Sequence, residues 1–162
     1  MSVKVIFCGD RNWTDPKPIQ DKLSEVVKRF GQDVEIWTGG CRGADNLAHL
    51  LAKKMGLKAP IEWAEWKRLG NAAGPERNRV LLAKNPLLTV AFKNAFDWSL
   101  EKGRNGGHTE GMVRMSVVAD VHCHVYSQGR WVKIPAGTKP SEVEGLAKSE
   151  SRCNLPLFLP PP

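Results

Sequence analysis

Apolar runs and helix-spaced stripes alternate along the chain from Val3 to Tyr126. Five runs read as strands: Val3–Cys8, Val34–Thr38, Pro60–Ala64, Leu87–Phe92 and Val121–Tyr126. Their near-continuous apolar character is that of strands buried on both faces of a parallel sheet. The spacing between them predicts helices over Pro18–Phe30, Ala44–Met55, Gly74–Lys84 and Thr109–Ala119. In the second, Leu47, Leu50, Leu51 and Met55 recur at helical intervals. Pro16 and Pro18 mark the entry to the first helix, Gly56 caps the second, and Asn85-Pro86 stops the third. Strand and helix in alternation predict an α/β, doubly wound, mainly parallel five-stranded sheet with helices on both faces. Its crossovers are right-handed by default.

Beyond Gln128 the character changes, and Gly, Pro, Ser and Lys become common. The chain therefore divides into a main domain over residues 1–128 and a C-terminal extension over 129–162, read as an irregular tail. Within it, Ser141–Lys148 suits one short helix, with Glu144 as capping-box partner of Ser141.

Three predicted strands end in polar turns that carry glycine. Gly9 leads into Asp10-Arg11-Asn12-Trp13, and Thr38 into Gly39-Gly40-Cys41-Arg42-Gly43-Ala44-Asp45. After Phe92 and a loop, Gly106-Gly107-His108-Thr109-Glu110-Gly111 opens a helix. In a parallel sheet these turns lie side by side at the C-terminal strand ends and line one crevice. Backbone N–H groups and helix N-termini converge there on an anion, and glycine lets the backbone approach a phosphate.

The chain has 162 residues and a 41% hydrophobic fraction, enough for one domain with a proper core. No apolar run approaches the roughly 20 residues of a membrane span. The N-terminus enters a core strand directly, without a charged-then-apolar leader. Cys8, Cys41, Cys123 and Cys153 are scattered without CxxC spacing, which suits reduced thiols in a cytoplasm. His122-Cys123-His124 is no single chelate, because in a strand the cysteine points away from the two histidines, and no metal is expected. The net charge of +7 attracts phosphorylated molecules and polyanions, but basic and acidic residues are mixed along the whole chain.

A second anchor runs from Trp63 to Asn78. Gly74 offers close backbone approach, and Pro75 fits a first helical turn. That places Arg77 and Asn78 near the crevice. Arg77 either binds a phosphate with two parallel hydrogen bonds or pairs with Glu76 or Asp45 to hold loops together. Asn78 meets a sugar hydroxyl or a loop carbonyl. Trp37 and Trp63 read as packing residues within strands; for Trp13 and Trp66, in loops, stacking on a base stays open.

Taken together, Gly9-Asp10-Arg11-Asn12-Trp13 with Asp15, Gly39 to Asp45 with Ala48, and Trp66 with Gly70, Ala73-Gly74 and Arg77-Asn78 resemble the YspA-like branch of the SLOG superfamily. That superfamily unites the DprA/Smf DNA-processing proteins with the LOG phosphoribohydrolases, and the likeness extends over roughly Val3 to Tyr126. It implies a Rossmann-like fold that binds a nucleotide or nucleotide-derived ligand as a sensor or processing domain, with no further cofactor required. Gly9, Arg11, Asn12, Trp13, Gly39, Gly40, Arg42, Gly43, Ala44, Asp45, Trp66, Gly74, Arg77, Asn78, Gly106, Gly107 and Thr109 are the binding residues it points to. The LOG enzymes follow their last glycine turn with a threonine and, shortly after, a glutamate. Here Met112 stands three residues beyond Thr109, and Glu110 is out of register.

Two alternatives follow from the same resemblance. As a LOG-like hydrolase of a nucleotide N-glycosidic bond, the chain would use Arg77 on the phosphate, Glu110 on water or an oxocarbenium ion, and His108 as acid or base. As a DprA-like module it would bind single-stranded DNA. The resemblance also implies a homodimer or larger assembly. In the helix from Thr109, Met112, Val113, Met115, Val117 and Val118 are distributed round more than one face, so a second cover is expected besides the sheet. It comes from Leu155–Leu159 of the tail or from the same helix of a second copy.

Overall fold

In a computed structural model of the chain, residues 2–100 and 108–150 are described. Five strands form one sheet: β1 (Lys4–Gly9), β2 (Glu35–Trp37), β3 (Leu88–Phe92), β4 (His122–Ser127) and β5 (Arg130–Ile134). Their spatial order is β2-β1-β3-β4-β5. The first four are mutually parallel, and β5 runs antiparallel to β4. The helices are α1 (Lys17–Phe30), α2 (Ala44–Lys54), α3 (Trp66–Leu69), α4 (Ala73–Leu82), α5 (His108–Val118) and α6 (Val143–Glu150). This is the α/β, Rossmann-like architecture that the alternating pattern predicts.

Period-2 alternation sorts the strand side chains between two layers. Val5, Phe7, Val90 and Phe92 face α1 and α2, meeting Ile19, Leu23, Val26 and Ala48. Ala91, Cys123 and Val125 face the other layer and pack on Val113 and Val117 of α5. Ile6 meets Leu81 of α4 and Met112 of α5. His124 and Cys123 part as expected: His124 Nδ1 lies 3.0 Å from Lys22 Nζ on α1, while Cys123 lies in the α5 layer.

Two strand expectations change. Pro60–Ala64 is no strand; the segment touches the outer edge of β2 only through the isolated bridges Glu35–Lys58 and Thr38–Ile61. Pro60 brings no N–H to a ladder, and only its carbonyl is used, by Thr38 N at 3.3 Å. The fifth strand is β5 instead, in the stretch read as irregular tail. It pairs with β4 through a hairpin whose tip, Gln128-Gly129, has φ of 52° and 76°. Two successive positive φ values are the twist a two-residue hairpin prefers. The change of composition at Gln128 is thus this turn, and the sheet continues past it. Beyond β5 the short helix expected over Ser141–Lys148 is found as α6; residues 151–162, with Leu155–Leu159, lie outside the described residues.

The second cover expected over α5 is supplied by α4, which packs beside it, with Val143 of α6 joining the same cluster. Only Val118 among its large apolar side chains is strongly exposed. Among the described residues no helix is long and apolar enough to cross a membrane.

Candidate functional site

The order β2-β1-β3 reverses direction at β1, and in open α/β sheets such a switch point opens a crevice beyond the strand ends. Here the chain leaves β1 at Gly9 and β3 at Phe92, held together by Asp10 N donating to Phe92 O at 2.8 Å. A cleft of ≈ 280 Å³ opens at this point. Its walls are the β1 turn from Gly9 to Asn12, Cys41 and Arg42 before α2, Asp45, Arg77 and Asn78 on α4, Lys93 after β3, and His108, Thr109 and Met112 on α5.

Two of the predicted glycine turns do meet here, and they bind one another. Ala44 N donates to Asp10 O at 3.1 Å, and Asn46 N to Cys41 O at 3.0 Å. Gly43 has φ +82°, and a Cβ there would stand 2.3 Å from Asp10 O. Asp45, buried in the first turn of α2, accepts Gly9 N at 3.1 Å and Gly39 N at 2.9 Å. Gly39 is capped by a side chain: a Cβ would stand 2.6 Å from the Arg77 guanidinium carbon. The close approaches that glycine permits are therefore taken up by protein atoms. Several of the backbone donors expected for a phosphate are satisfied within the fold. Gly106 and Gly107, from the third turn, lie outside the described residues.

Arg77 is 5% exposed and pairs directly with neither Glu76 nor Asp45. Glu76 pairs with Arg79 at 2.7 Å instead. Arg77 Nη1 donates to Gly39 O at 3.1 Å and to Cys41 Sγ at 3.3 Å, and its Nε to Asn78 Oδ1 at 3.4 Å. It fastens α4 to the β2 turn while lining the cleft. Its positive charge also acts on Asp45. Burial pushes the Asp45 carboxyl up to about 6, against the pull of Arg77 and the N–H groups of Gly39, Gly9 and Cys41.

The charges facing the cleft are unequal. Arg11, Arg42, Arg77 and Lys93 bring four cations, and Asp10 and Asp45 the acids. Asp10 is itself occupied, accepting Asn12 N at 2.9 Å and Asn94 Nδ2 at 3.2 Å. Burial and the neighbouring Arg11, Arg77 and Lys93 hold His108 below its ordinary value, so its imidazole is neutral at pH 7. Gly74 makes room for that ring: a Cβ there would meet it at 2.5 Å.

The candidate hydrolytic trio is divided. Arg77, His108 and Thr109 line the cleft; Glu110 is not among the lining residues. Glu110 is buried, its Oε2 3.4 Å from Lys93 Nζ. Five lining residues stand outside the candidate set drawn from sequence: Cys8, Asp10, Cys41, Lys93 and Met112. Lys93 was the most findable, as the first polar residue after β3.

The structure decides the role left open for Trp13 and reverses the one expected of Trp63. Trp13 is 7% exposed, packs on Phe92 and Tyr126 with centroids 5.8 Å apart in both cases, and donates Nε1 to Asp15 O at 2.7 Å. It belongs to the core. Trp63, expected to pack, is 66% exposed, and Trp66 is 41% exposed. Both border a groove of ≈ 570 Å³ that shares Arg11, Cys41 and Arg42 with the cleft.

Comparison with known proteins accords with this picture. Residues 3–68, which carry β1, the Gly39–Asp45 turn, α2 and Trp66, match the profile of the YspA, cpYpsA-related SLOG family. The Gene 61 protein of Mycobacterium phage D29 is 28% identical over 94 residues, covering 55% of this chain and 75% of that protein. The DNA processing protein A (DprA) structure from Streptococcus pneumoniae shares the fold at 16% identity, with a TM-score of 0.56 over 98% of this chain. The chain spans 59% of the length of that DprA chain. Among the described residues no group of three or more His, Cys, Asp or Glu is placed to hold a metal ion.

Proposed function

We propose that the cleft at the β1/β3 switch point holds the phosphate of a nucleotide-derived ligand, which this domain senses or presents for processing. The observation that carries this reading is the unequal charge: four cationic side chains line a cleft with two acids that backbone or amide donors already engage, and the balance stays positive even with Lys93 3.4 Å from the buried Glu110. The phosphate is held by the side chains at the mouths of the turns, Arg11, Arg42 and Lys93, with Arg77 behind them. Thr109 and Asn78 line the same cleft and supply the polar groups for a sugar hydroxyl or a bridging oxygen. The SLOG segment supports a nucleotide as the ligand's class.

Thermal-shift titration of nucleoside monophosphates, ADP-ribose, NAD and cyclic nucleotides tests it. A ligand at a hundred times its Kd contributes about 2.7 kcal/mol to stability and raises Tm. No rise with any of them at millimolar concentration contradicts the reading. In the same mixtures, release of free base over hours would turn the binding site into a hydrolytic one. With Glu110 outside the cleft, none is expected.

A further inference from the structure

Trp63 and Trp66 are both well exposed, three residues apart, at the start of the segment that leads into α4. Large exposed indoles beside a charged cleft mark a place where something flat is meant to lie. Each is held in place. A Cβ on Gly40 would stand 2.6 Å from the Trp63 ring, so the indole rests on bare backbone. His108 meets Trp66 edge-on, centroids 5.6 Å apart at 70°, and the Arg11 guanidinium carbon lies 5.8 Å from the Trp66 ring centroid. Arg11, Cys41 and Arg42 form the common wall between groove and cleft. A ligand with an anionic end in the cleft thus extends its other end over the indoles.

We propose that this groove is a nucleobase subsite that selects purine nucleotides by the face of the base. The proposal rests on the phosphate reading of the cleft above. Among the described residues that line the groove, the side chains are two arginines, two tryptophans, a thiol and a methyl group. Tryptophan and arginine grip a π-face, and they carry no carboxylate or amide to read a base edge in both directions. The larger face of a purine gains more from such a platform than a pyrimidine does.

Calorimetric titration of the full chain with GMP, AMP, UMP and ribose 5-phosphate tests this. The purine nucleotides should bind roughly tenfold more tightly than ribose 5-phosphate, with UMP between them. Trp63→Ala combined with Trp66→Ala should abolish that advantage while ribose 5-phosphate binds as before, which also reports that the double variant is folded. Trp66→Phe should restore part of it. If ribose 5-phosphate binds the wild type as tightly as GMP, or the double variant keeps the purine advantage, the base subsite is refuted and the phosphate site stands. If neither ribose 5-phosphate nor any nucleotide binds, the phosphate reading fails and the subsite with it.

Discussion

Asp45 accepts the backbone N–H of Gly9 at 3.1 Å, across 36 positions of sequence, and so ties the end of β1 to the first turn of α2. Its other oxygen holds Gly39 at the end of β2. One buried carboxylate therefore sets the spacing of two turns that wall the cleft. It carries a cost, because burial raises its folded value to about 6 from an ordinary 3.8. The folded chain takes up this proton at higher pH than the unfolded chain does. Between about 6 and 3.8 the native state binds more protons, so stability rises as pH falls through that window. Asp45→Asn removes the titration. Denaturant unfolding at pH 7 and pH 4.5 should show the wild type gaining stability relative to Asp45→Asn at the lower pH. An unchanged difference would show that Asp45 titrates as it does in water.

Gly43 and Gly56 separate conformation from contact. Both have positive φ, +82° and +76°. A Cβ on Gly43 would meet the Asp10 carbonyl at 2.3 Å, whereas on Gly56 its nearest neighbour is a glutamine side chain at 3.7 Å. Gly56→Ala should cost about 1 kcal/mol from backbone strain alone. Gly43→Ala should cost more, on the order of 2–4 kcal/mol, because two turns must move apart. Equal losses in urea unfolding would mean that the turns are not locked against each other.

Gly74→Ala is predicted to leave stability within about 1 kcal/mol, since alanine suits a helix and the clashing atoms belong to a side-chain ring. The ring of His108 must swing out. It leaves part of its burial and the cations beside it, so its titration moves back up toward the ordinary histidine value. An NMR titration of the imidazole protons, wild type against variant, reads this directly; coincident curves would contradict the packing described.

The tryptophans are tested by stability. Trp13→Ala should cost about 3–5 kcal/mol as a large core truncation. Trp63→Ala should fall within about 0.5 kcal/mol of wild type, as an exposed substitution. A large loss from the second and a small one from the first would reverse their placement.

Most of the sheet was legible because four strands are short, largely apolar runs separated by helix-spaced stripes, which leaves little else for them to be. β5 was not, because Arg130-Trp131-Val132-Lys133-Ile134 is a half-exposed edge whose signal is only alternation. Pro60–Ala64 misled in the opposite sense: its apolar residues serve a connection beside β2, with Trp63 turned outward. The gathering of the Gly9 and Gly39 turns followed from strand direction alone. What sequence did not carry was which atoms those glycines admit. The same residue types suit a phosphate or a neighbouring carbonyl, and only the fold places Asp10 O over Gly43 and Arg77 over Gly39. Trp63 misled, and Trp13 stayed open, for a related reason, since an indole in a loop and one in a strand are told apart only by what covers them.

We propose that the cleft binds a phosphate through Arg11, Arg42 and Lys93. The most direct measurement is calorimetric titration of a purine nucleoside 5′-monophosphate against the same nucleoside without phosphate, at low and moderate salt. The monophosphate should bind, the free nucleoside should bind at least tenfold more weakly, and the difference should shrink as salt screens the cations. A nucleoside that binds as tightly as its monophosphate, at either salt concentration, would contradict it.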